Sequence, residues 1–369
     1  MVPATSGLWA TSVESPKDTV GRDRDWQGNI RMIDRNMPIS KNKPLVSVVI
    51  SFFNEEDVLP ELILRLGRSL DTLDLDYELI FVNDASTDGS LSILTEKAEQ
   101  DKRIKVLNMS RNFGSSRQGV CTIAGIEYAS GDAIIFMDAD LQDPPELLPQ
   151  MIDAWRNGDN VDVVYTTRLS RAGESKGKLW LTKWGYRILQ WTAEVDVPVN
   201  SGDFKLISRR VADHLLLLGE KRPFLRGLVP WVGFKQVPVF YHREPRFAGR
   251  TKYWVISPKV INNFLSAIIS FSDIPLKICL LTGILISFIA FGLGVYAIAC
   301  KFLGLAVPGW SGIMAAVLFV GGVELIMLGM VGLYVAAILD QVKDRPRYIV
   351  ESTIGFDDDQ HVGYRDREI

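Results

Sequence analysis

Asp138, Asp140, Gln142 and Asp143 crowd into the stretch FMDADLQDPPE (residues 136–146), immediately after the apolar run AIIF. These are hard oxygen ligands with no histidine or cysteine among them, a set suited to Mg²⁺ or Mn²⁺ rather than zinc. The three histidines, His214, His242 and His361, are isolated from one another. Mg²⁺ takes few protein ligands and completes its shell with water and substrate phosphates. Two or three side-chain oxygens at a strand end therefore describe a cation that holds a nucleotide diphosphate. Asp143, ahead of Pro144 and Pro145, and Glu146 read instead as caps of the helix that follows.

Other polar groups stand where apolar runs end. In VNDASTDGS, Asp84 can accept from the ring N–H of a nucleobase, whereas Asp88 reads as a turn or N-cap residue. Glu55, after the first apolar run, can take a ribose hydroxyl. Arg168 and Arg171 in TRLSRAG, and Arg226 in FLRGLVPW, can meet phosphate or equally be solvated or pair with an acid. GESKGK (173–178) is not a phosphate loop, because it is one residue short between its glycines and no Ser or Thr follows Lys178.

The elements that must position these groups alternate. PLVSVVISFF (44–53) is the near-continuous apolar run of a strand covered on both faces, and a helix over 54–70 should follow with Asn54 as its N-cap. YELIFVND, IKVLNMS, DAIIFMDAD and VDVVYTTR read as further strands, separated by the helical stretches SLSILTEKAEQ, SRQGVCTIAGIEYAS and ELLPQMIDAWRNG. Such alternation predicts an α/β doubly wound sheet, in which ligands bind beyond the carboxyl ends of the strands.

The C-terminal part is different. Residues 278–300 carry no charged side chain, and residues 312–339 carry only Glu324, so both stretches are long enough to cross a bilayer as a two-helix hairpin. Arg250, Lys252, Lys259 and Lys277 precede the pair and Lys343, Arg345 and Arg347 follow it, which places both termini and the bulk of the chain on the cytoplasmic side. KLWLTKWGYRILQW (178–191) interleaves tryptophan with basic residues, the pattern of a helix lying in the membrane interface or, on the other reading, of a core-facing helix. The expected organisation is a flexible extension over 1–43, an α/β domain over 44–257 with an interfacial helix at 174–193, a juxtamembrane amphipathic helix at 258–277, two spans within 278–339 and a cytoplasmic tail over 340–369. Glu324 would be costly against lipid and should face a helix neighbour or another subunit. Gly321, Gly322, Gly329 and Gly332 permit close helix packing, so a homo-oligomer is expected. Three cysteines imply no disulfide framework, and a formal net charge of −3 gives no case for nucleic acid.

VSVVISFFNEE, FVNDASTDGS, SRNFG, MDADLQDPPE, SGDFKLISRR, FLRGLVPWVGFKQ and RFAGRTKY, followed by the two apolar stretches, resemble the family-2 glycosyltransferases that load a sugar onto a polyprenyl phosphate. Within them the chain is most similar to bactoprenol glucosyltransferases, with dolichyl-phosphate mannose synthases as more distant relatives. The resemblance implies a GT-A fold, a nucleoside diphosphate sugar donor, a polyprenyl phosphate acceptor, Mg²⁺ or Mn²⁺, and a bacterial inner-membrane location. It assigns Asp140 and Gln142 to metal and diphosphate, Asp138 and Ala139 to the ribose side of the nucleotide, Asp84 to the base, and Asp203 to catalysis as the candidate base. Ser51, Phe53 and Glu55 stand at the family's Pro-x-Tyr-Asn-Glu turn, with the proline and the tyrosine replaced. Arg246 and Lys252 match basic positions near the donor diphosphate and the lipid phosphate, with Arg168, Arg171 and Arg226 bordering them.

These readings favour transfer of glucose from UDP-glucose to undecaprenyl phosphate with inversion. GDP-mannose with a dolichyl-type acceptor, or a UDP-aminoarabinose type of donor, would use the same frame. A processive polysaccharide synthase would need a Q-x-x-R-W motif and a larger membrane channel, and neither is present. A non-catalytic scaffold or sugar-lipid transporter would have no use for the metal-ligand set.

Overall fold

The computed structural model describes residues 43–113, 118–170, 201–243, 247, 272, 274–303 and 309–356. The N-terminal extension, the expected interfacial helix, residues 258–271 of the expected juxtamembrane helix, and Arg171, Arg246 and Lys252 lie outside the described residues.

Four apolar runs form the parallel part of the sheet: β1 (Leu45–Phe52), β2 (Asp76–Asn83), β3 (Ile104–Met109) and β4 (Ala133–Asp138). Each is followed by a helix: α1 (Leu59–Leu70), α2 (Ser90–Gln100), α3 (Gln118–Tyr128), and a short 3₁₀ turn at Pro145–Leu147 that runs into α4 (Leu148–Arg156). β5 (Val163–Ser170), β6 (Ser201–Ser208) and β7 (Gln236–His242) extend one edge, with α5 (Arg209–Leu217) and α6 (Leu225–Trp231) between the last two. The strand order is β7-β5-β6-β4-β1-β2-β3-β8, where β8 is Val350–Ile354. β6 lies antiparallel to β4 and β5, and β8 antiparallel to β3, so the sheet is mixed, as expected of a GT-A domain.

Alternation along the strands divides the core between the two faces. Val46, Val48, Ile50 and Phe52 pack with Leu59, Leu62 and Leu66 of α1 and Leu148, Met151 and Trp155 of α4. Val49, Ile80, Ile134 and Phe136 pack with α3, α5 and α6 on the other face. α3 sits so close to the sheet that a Cβ on Gly125 would lie 2.2 Å from Val49 Cγ1, which restricts that position to glycine.

β1 pairs with β2 on one side and with β4 on the other, so the chain reverses its direction of travel across the sheet between β1 and β4. A crevice opens at such a switch point, beyond the carboxyl ends of the two strands.

Three local features differ from the sequence reading. Asn54 is not a helix cap: it has φ 52°, and α1 begins at Leu59 with Pro60 in its first turn. Proline lacks an N–H and fits only the first turn, which fixes the helix start there and leaves 53–58 as a loop over the crevice. Asp143 does not cap the following turn either; its side chain is buried against Tyr241. The segment after the second apolar helix, expected as a tail, returns to the sheet as β8.

α7 (Ile274–Phe302) and α8 (Trp310–Val342) are the two long apolar helices. α7 starts before residue 278 and absorbs Ile274–Lys277 of the expected juxtamembrane segment. Ile274–Leu293 and Phe319–Val342 have mean hydropathies of 2.3 and 2.1 over lengths that suffice to cross a membrane. Large apolar side chains such as Phe288 and Leu325 are exposed on them. Glu324 is also exposed on α8 within the single chain.

Candidate active site

The carboxyl ends of β1, β2 and β4 bring most of the expected residues together. Ser51 and Asp138 are direct partners across β1 and β4 at the switch point. Phe53 and Glu55 follow on the β1 side, Asp84 stands one strand over after β2, and Ala139, Asp140 and Gln142 continue from β4.

Asn54, Ala85 and Leu141 all have positive φ, at 52°, 55° and 55°, and each lies just beyond one of these three strands. Left-handed backbone costs an L-residue about 1–2 kcal/mol, and such conformations persist where surrounding contacts over-determine them. Those contacts are present. Asn54 Oδ1 accepts from Thr87 N–H at 2.8 Å and Asn54 N–H donates to Ser86 Oγ at 2.9 Å, tying the two loops into one wall. Asp88 accepts from Glu56 N–H and Ser90 N–H, the turn role expected of it. Glu55 is buried, with its N–H donating to Ser90 Oγ and its carbonyl accepting from Val58 and Leu59.

Leu141 sits in the β4 turn with its side chain buried in the core, so the residues flanking it are presented from an anchored point. The backbone N–H of Gln142 donates to Asp140 Oδ1 at 3.2 Å, which turns that carboxylate back onto its own turn. Among the described residues no group of three or more His, Cys, Asp or Glu could enclose a cation on its own. A carboxylate and an amide oxygen on one turn fit a hard divalent ion whose remaining ligands are phosphate oxygens and water.

Asp84 is held by its neighbours: Oδ1 accepts from Phe113 N–H at 2.7 Å, and its carbonyl accepts from Asn112 Nδ2 at 2.9 Å. Burial pushes the Cys121 thiol well above its ordinary range, and the adjacent Asp84 carboxylate adds to the effect. Asp84 is thus fixed against α3 as well as against the loop after β3.

A second cluster borders the crevice on the β5–β6–β7 side. Arg226, on α6, places Nε 2.8 Å from Asp203 Oδ1 and Nη2 2.5 Å from Oδ2, a two-pronged pairing. Burial would raise the pKa of Asp203, but Arg226, Lys205 and Arg168 together take it below its ordinary value. Lys205, two residues further along β6, is 1% exposed, and burial lowers its pKa to about 8 against the opposing pull of Asp203. Arg168 lies over Gly202, where an added Cβ would come 2.9 Å from its Nη2 and displace the guanidinium from this position.

Arg168 is itself held from below. Its Nε donates to Tyr241 Oη at 3.1 Å, Tyr241 Oη donates to Asp143, and Asp143 Oδ1 lies 3.7 Å from Arg168 Nη2 and 4.0 Å from Arg243 Nε. Burial, reinforced by Asp143, pushes the Tyr241 hydroxyl up to about 12. Arg243 Nε and Ser201 Oγ are buried without a hydrogen-bond partner among the described residues. Donors without a partner beside two further guanidinium groups are chemistry that suits an anion.

Asp143, Tyr241, Arg243 and Lys205 are the members of this site that the sequence reading missed. The proximity of Asp143 to Asp140 was the one available signal, and its place before two prolines pointed to a cap instead.

The glycosyl transferase family 2 model matches residues 47–216. An uncharacterized glycosyltransferase of Synechocystis is 42% identical over 315 residues, covering 85% of this chain and 96% of the relative. The uncharacterized glycosyltransferase YkcC of Bacillus subtilis is 41% identical, over 86% of this chain and 98% of its own. A prophage-derived bactoprenol glucosyl transferase of Shigella flexneri is 34% identical, over 84% and 98%. With relatives this similar along nearly their whole length, and with an acidic turn and a basic cluster at one end of a mixed α/β sheet, the chain belongs to glycosyl transferase family 2.

Proposed function

We propose that the chain transfers a sugar, glucose from UDP-glucose, to a polyprenyl phosphate such as undecaprenyl phosphate, at the cytoplasmic face of a bacterial inner membrane. The observation that carries this reading is the side-by-side placement of the two clusters. The Asp140–Gln142 turn suits a donor diphosphate, and the Arg168–Arg226–Arg243 group suits a second phosphate. The names of the Shigella relatives supply the lipid acceptor.

In this reading Ser51, Phe53, Glu55, Asp84, Asp138 and Ala139 line the nucleotide, with Asp84 accepting from the base. Asp140 and Gln142 would hold Mg²⁺ or Mn²⁺, which when bound neutralises charge on the departing diphosphate. An acceptor phosphate oxygen attacks the anomeric carbon while the bond from that carbon to the donor diphosphate oxygen breaks, releasing the nucleoside diphosphate. One displacement inverts the anomeric centre, so an α-linked donor gives a β-linked lipid phosphate sugar. A phosphate monoester with its second pKa near 6 is largely dianionic at neutral pH and needs no strong base to become a nucleophile. Asp203, with both oxygens turned to Arg226, then serves to hold that guanidinium on a phosphate rather than to remove a proton.

The family resemblance assigns Arg171, Arg246 and Lys252 to the same phosphates. α7 and α8 anchor the enzyme in the bilayer with both termini cytoplasmic. The apolar cleft between them, about 770 Å³ and lined by Leu276, Leu280, Phe288, Met327 and Val331, accommodates isoprenoid units. Glu324 and the glycines of α8 face a second copy of the chain in a homo-oligomer.

Membranes containing the protein, incubated with polyprenyl phosphate and a panel of labelled sugar nucleotides with and without EDTA, test the reading. Mass spectrometry of the lipid fraction should find a glycosylated lipid phosphate, formed only without EDTA and most readily from UDP-glucose. Absence of any glycosylated lipid phosphate across the panel would overturn it.

A further inference from the structure

The chain leaves α8 and runs straight back onto the α/β domain, touching it at two places that each lead into the site. The first is the α5–α6 loop. Arg222 pairs with Asp340 on the last turns of α8, and Lys221 Nζ donates to Asp344 Oδ1 and to the Arg345 carbonyl, both at 2.8 Å. Arg347 Nη2 donates to Leu216 O at 3.0 Å, at the other end of the same loop. The loop continues through Pro223, whose carbonyl packs so tightly on Gly119 that an added Cβ would lie 2.3 Å away. α6 then starts at Leu225 and carries Arg226 in its first turn.

The second place is β3. Tyr348 is buried and its hydroxyl donates to Glu127 of α3 at 2.7 Å. Ile349 O accepts from Ser110 N–H at 3.0 Å, and β8 pairs antiparallel with β3. Asn108, at the end of β3, donates to Glu351 at 2.9 Å while its Oδ1 accepts from Asn83. The loop that β3 feeds, Ser110–Phe113, is the one whose amides hold Asp84.

We propose that the segment Asp340–Ile354 is a positioning element of the transferase: the Arg222–Asp340 and Lys221–Asp344 pairs fix α6, and with it Arg226, at a set distance from the end of the second apolar helix. An enzyme whose acceptor head is confined to one depth needs its phosphate-binding guanidinium held relative to the helices that set that depth. A loop tied only to the sheet would not provide this. The ion pairs do, because one partner of each is on or just beyond α8 and the other is within five residues of Arg226. Arg222 and Lys221 act through Arg226 and do not touch the reacting atoms. The proposal rests on the lipid phosphate acceptor inferred above.

The test is a charge swap in the full-length protein reconstituted in vesicles. Arg222→Asp and Asp340→Arg should each raise the KM for polyprenyl phosphate about five- to tenfold while leaving the KM for the sugar nucleotide unchanged, and the double swap should restore the acceptor KM. Hydrogen exchange read over residues 218–231 gives a second measurement that needs no turnover. Each single variant should speed exchange there and the swap should slow it again. Unchanged exchange in the single variants, or no rescue by the swap, overturns the proposal whatever the activity. A wild-type protein that transfers no sugar to lipid phosphate while the exchange pattern holds would defeat the acceptor reading and not the coupling.

Discussion

Arg226 meets Asp203 with two parallel hydrogen bonds, Nε to Oδ1 at 2.8 Å and Nη2 to Oδ2 at 2.5 Å, so neither carboxylate oxygen is turned away from the guanidinium. If the work of Asp203 is to hold Arg226, the two residues form one functional unit. Removing either member disturbs the same guanidinium, and a loss of about 3 kcal/mol of transition-state stabilisation is roughly a hundredfold in rate. Asp203→Asn and Arg226→Gln should therefore each lower kcat/KM by about a hundredfold, and the double variant should be no worse than the poorer single one. Multiplying losses, or Asp203→Asn far more damaging than Arg226→Gln, would make Asp203 a base in its own right. Steady-state kinetics on the three variants decides.

The pH profile gives an independent view. Arg226, with Lys205 and Arg168 behind it, outweighs burial and keeps the Asp203 pKa below the ordinary carboxylate value. Its ionisation is complete before the acceptor phosphate, with a second pKa near 6, loses its last proton. The acid limb of kcat/KM should therefore fall near pH 6, and it should stay there in Asp203→Asn at a reduced height. A limb that disappears in this variant would show that the carboxylate itself titrates in catalysis.

Asp143 is the buried acid beneath the basic cluster, with Tyr241 donating to it and Arg168 and Arg243 at 3.7 and 4.0 Å. Replacing it with alanine would leave two guanidinium groups with little counter-charge, a loss of about 3–5 kcal/mol by analogy with other buried pairs. Tyr241→Phe removes only a hydroxyl, for about 1–2 kcal/mol. Thermal unfolding in detergent should rank wild type above Tyr241→Phe above Asp143→Ala. Equal midpoints for wild type and Asp143→Ala would mean that Asp143 does not hold the cluster.

The metal proposed for the β4 turn can be tested directly. Asp140 and Gln142 flank the buried Leu141, and the backbone N–H of Gln142 donates to Asp140 Oδ1. Asp140→Asn removes the charge but keeps the shape. Transfer should fall by at least a hundredfold, and saturating Mn²⁺ should recover part of it, because the amide oxygen remains a weaker ligand. Full activity in Asp140→Asn, or in wild type after exhaustive chelation, would remove the cation from the reaction.

The parts of the fold legible in the sequence are those in which burial alone chooses the residues. β1, β2 and β4 are apolar on both faces and turn polar at once on leaving the sheet, so strands and site are visible together in VSVVISFFNEE and AIIFMDAD. SGDFKLIS hides its strand character because Asp203 and Lys205 occupy sheet positions that an ordinary core would give to apolar side chains. VESTI offers only Val350 and Ile354 around three polar residues: β8 is an edge strand paired with β3. Asn54 matched a helix-cap pattern, but the same short amide tolerates left-handed backbone, and the tie to Thr87 across two loops decided between the two. Asp143 and Tyr241 are 98 positions apart, and no local pattern joins them.

Lys205 offers the sharpest test of whether stability has been given up for the site. It is 1% exposed, and its pKa is lowered from 10.5 to about 8. The unfolded chain holds this proton until about pH 10.5, whereas the folded chain releases it near 8, so between those values the unfolded state binds more protons and stability rises with pH. Below pH 8 the full cost of keeping the charge buried is present, about 3 kcal/mol from the size of the shift. Lys205→Met fills a similar volume without a charge, and Asp203 keeps Arg226 as its partner. The variant should unfold at a higher temperature than wild type at pH 7, the gap should close as pH rises from 8 to 10.5, and sugar transfer should fall because a cation is lost beside Asp203. A variant that melts below wild type at pH 7 would mean that Lys205 stabilises the fold through its pairing with Asp203, and the buried lysine would need no functional explanation.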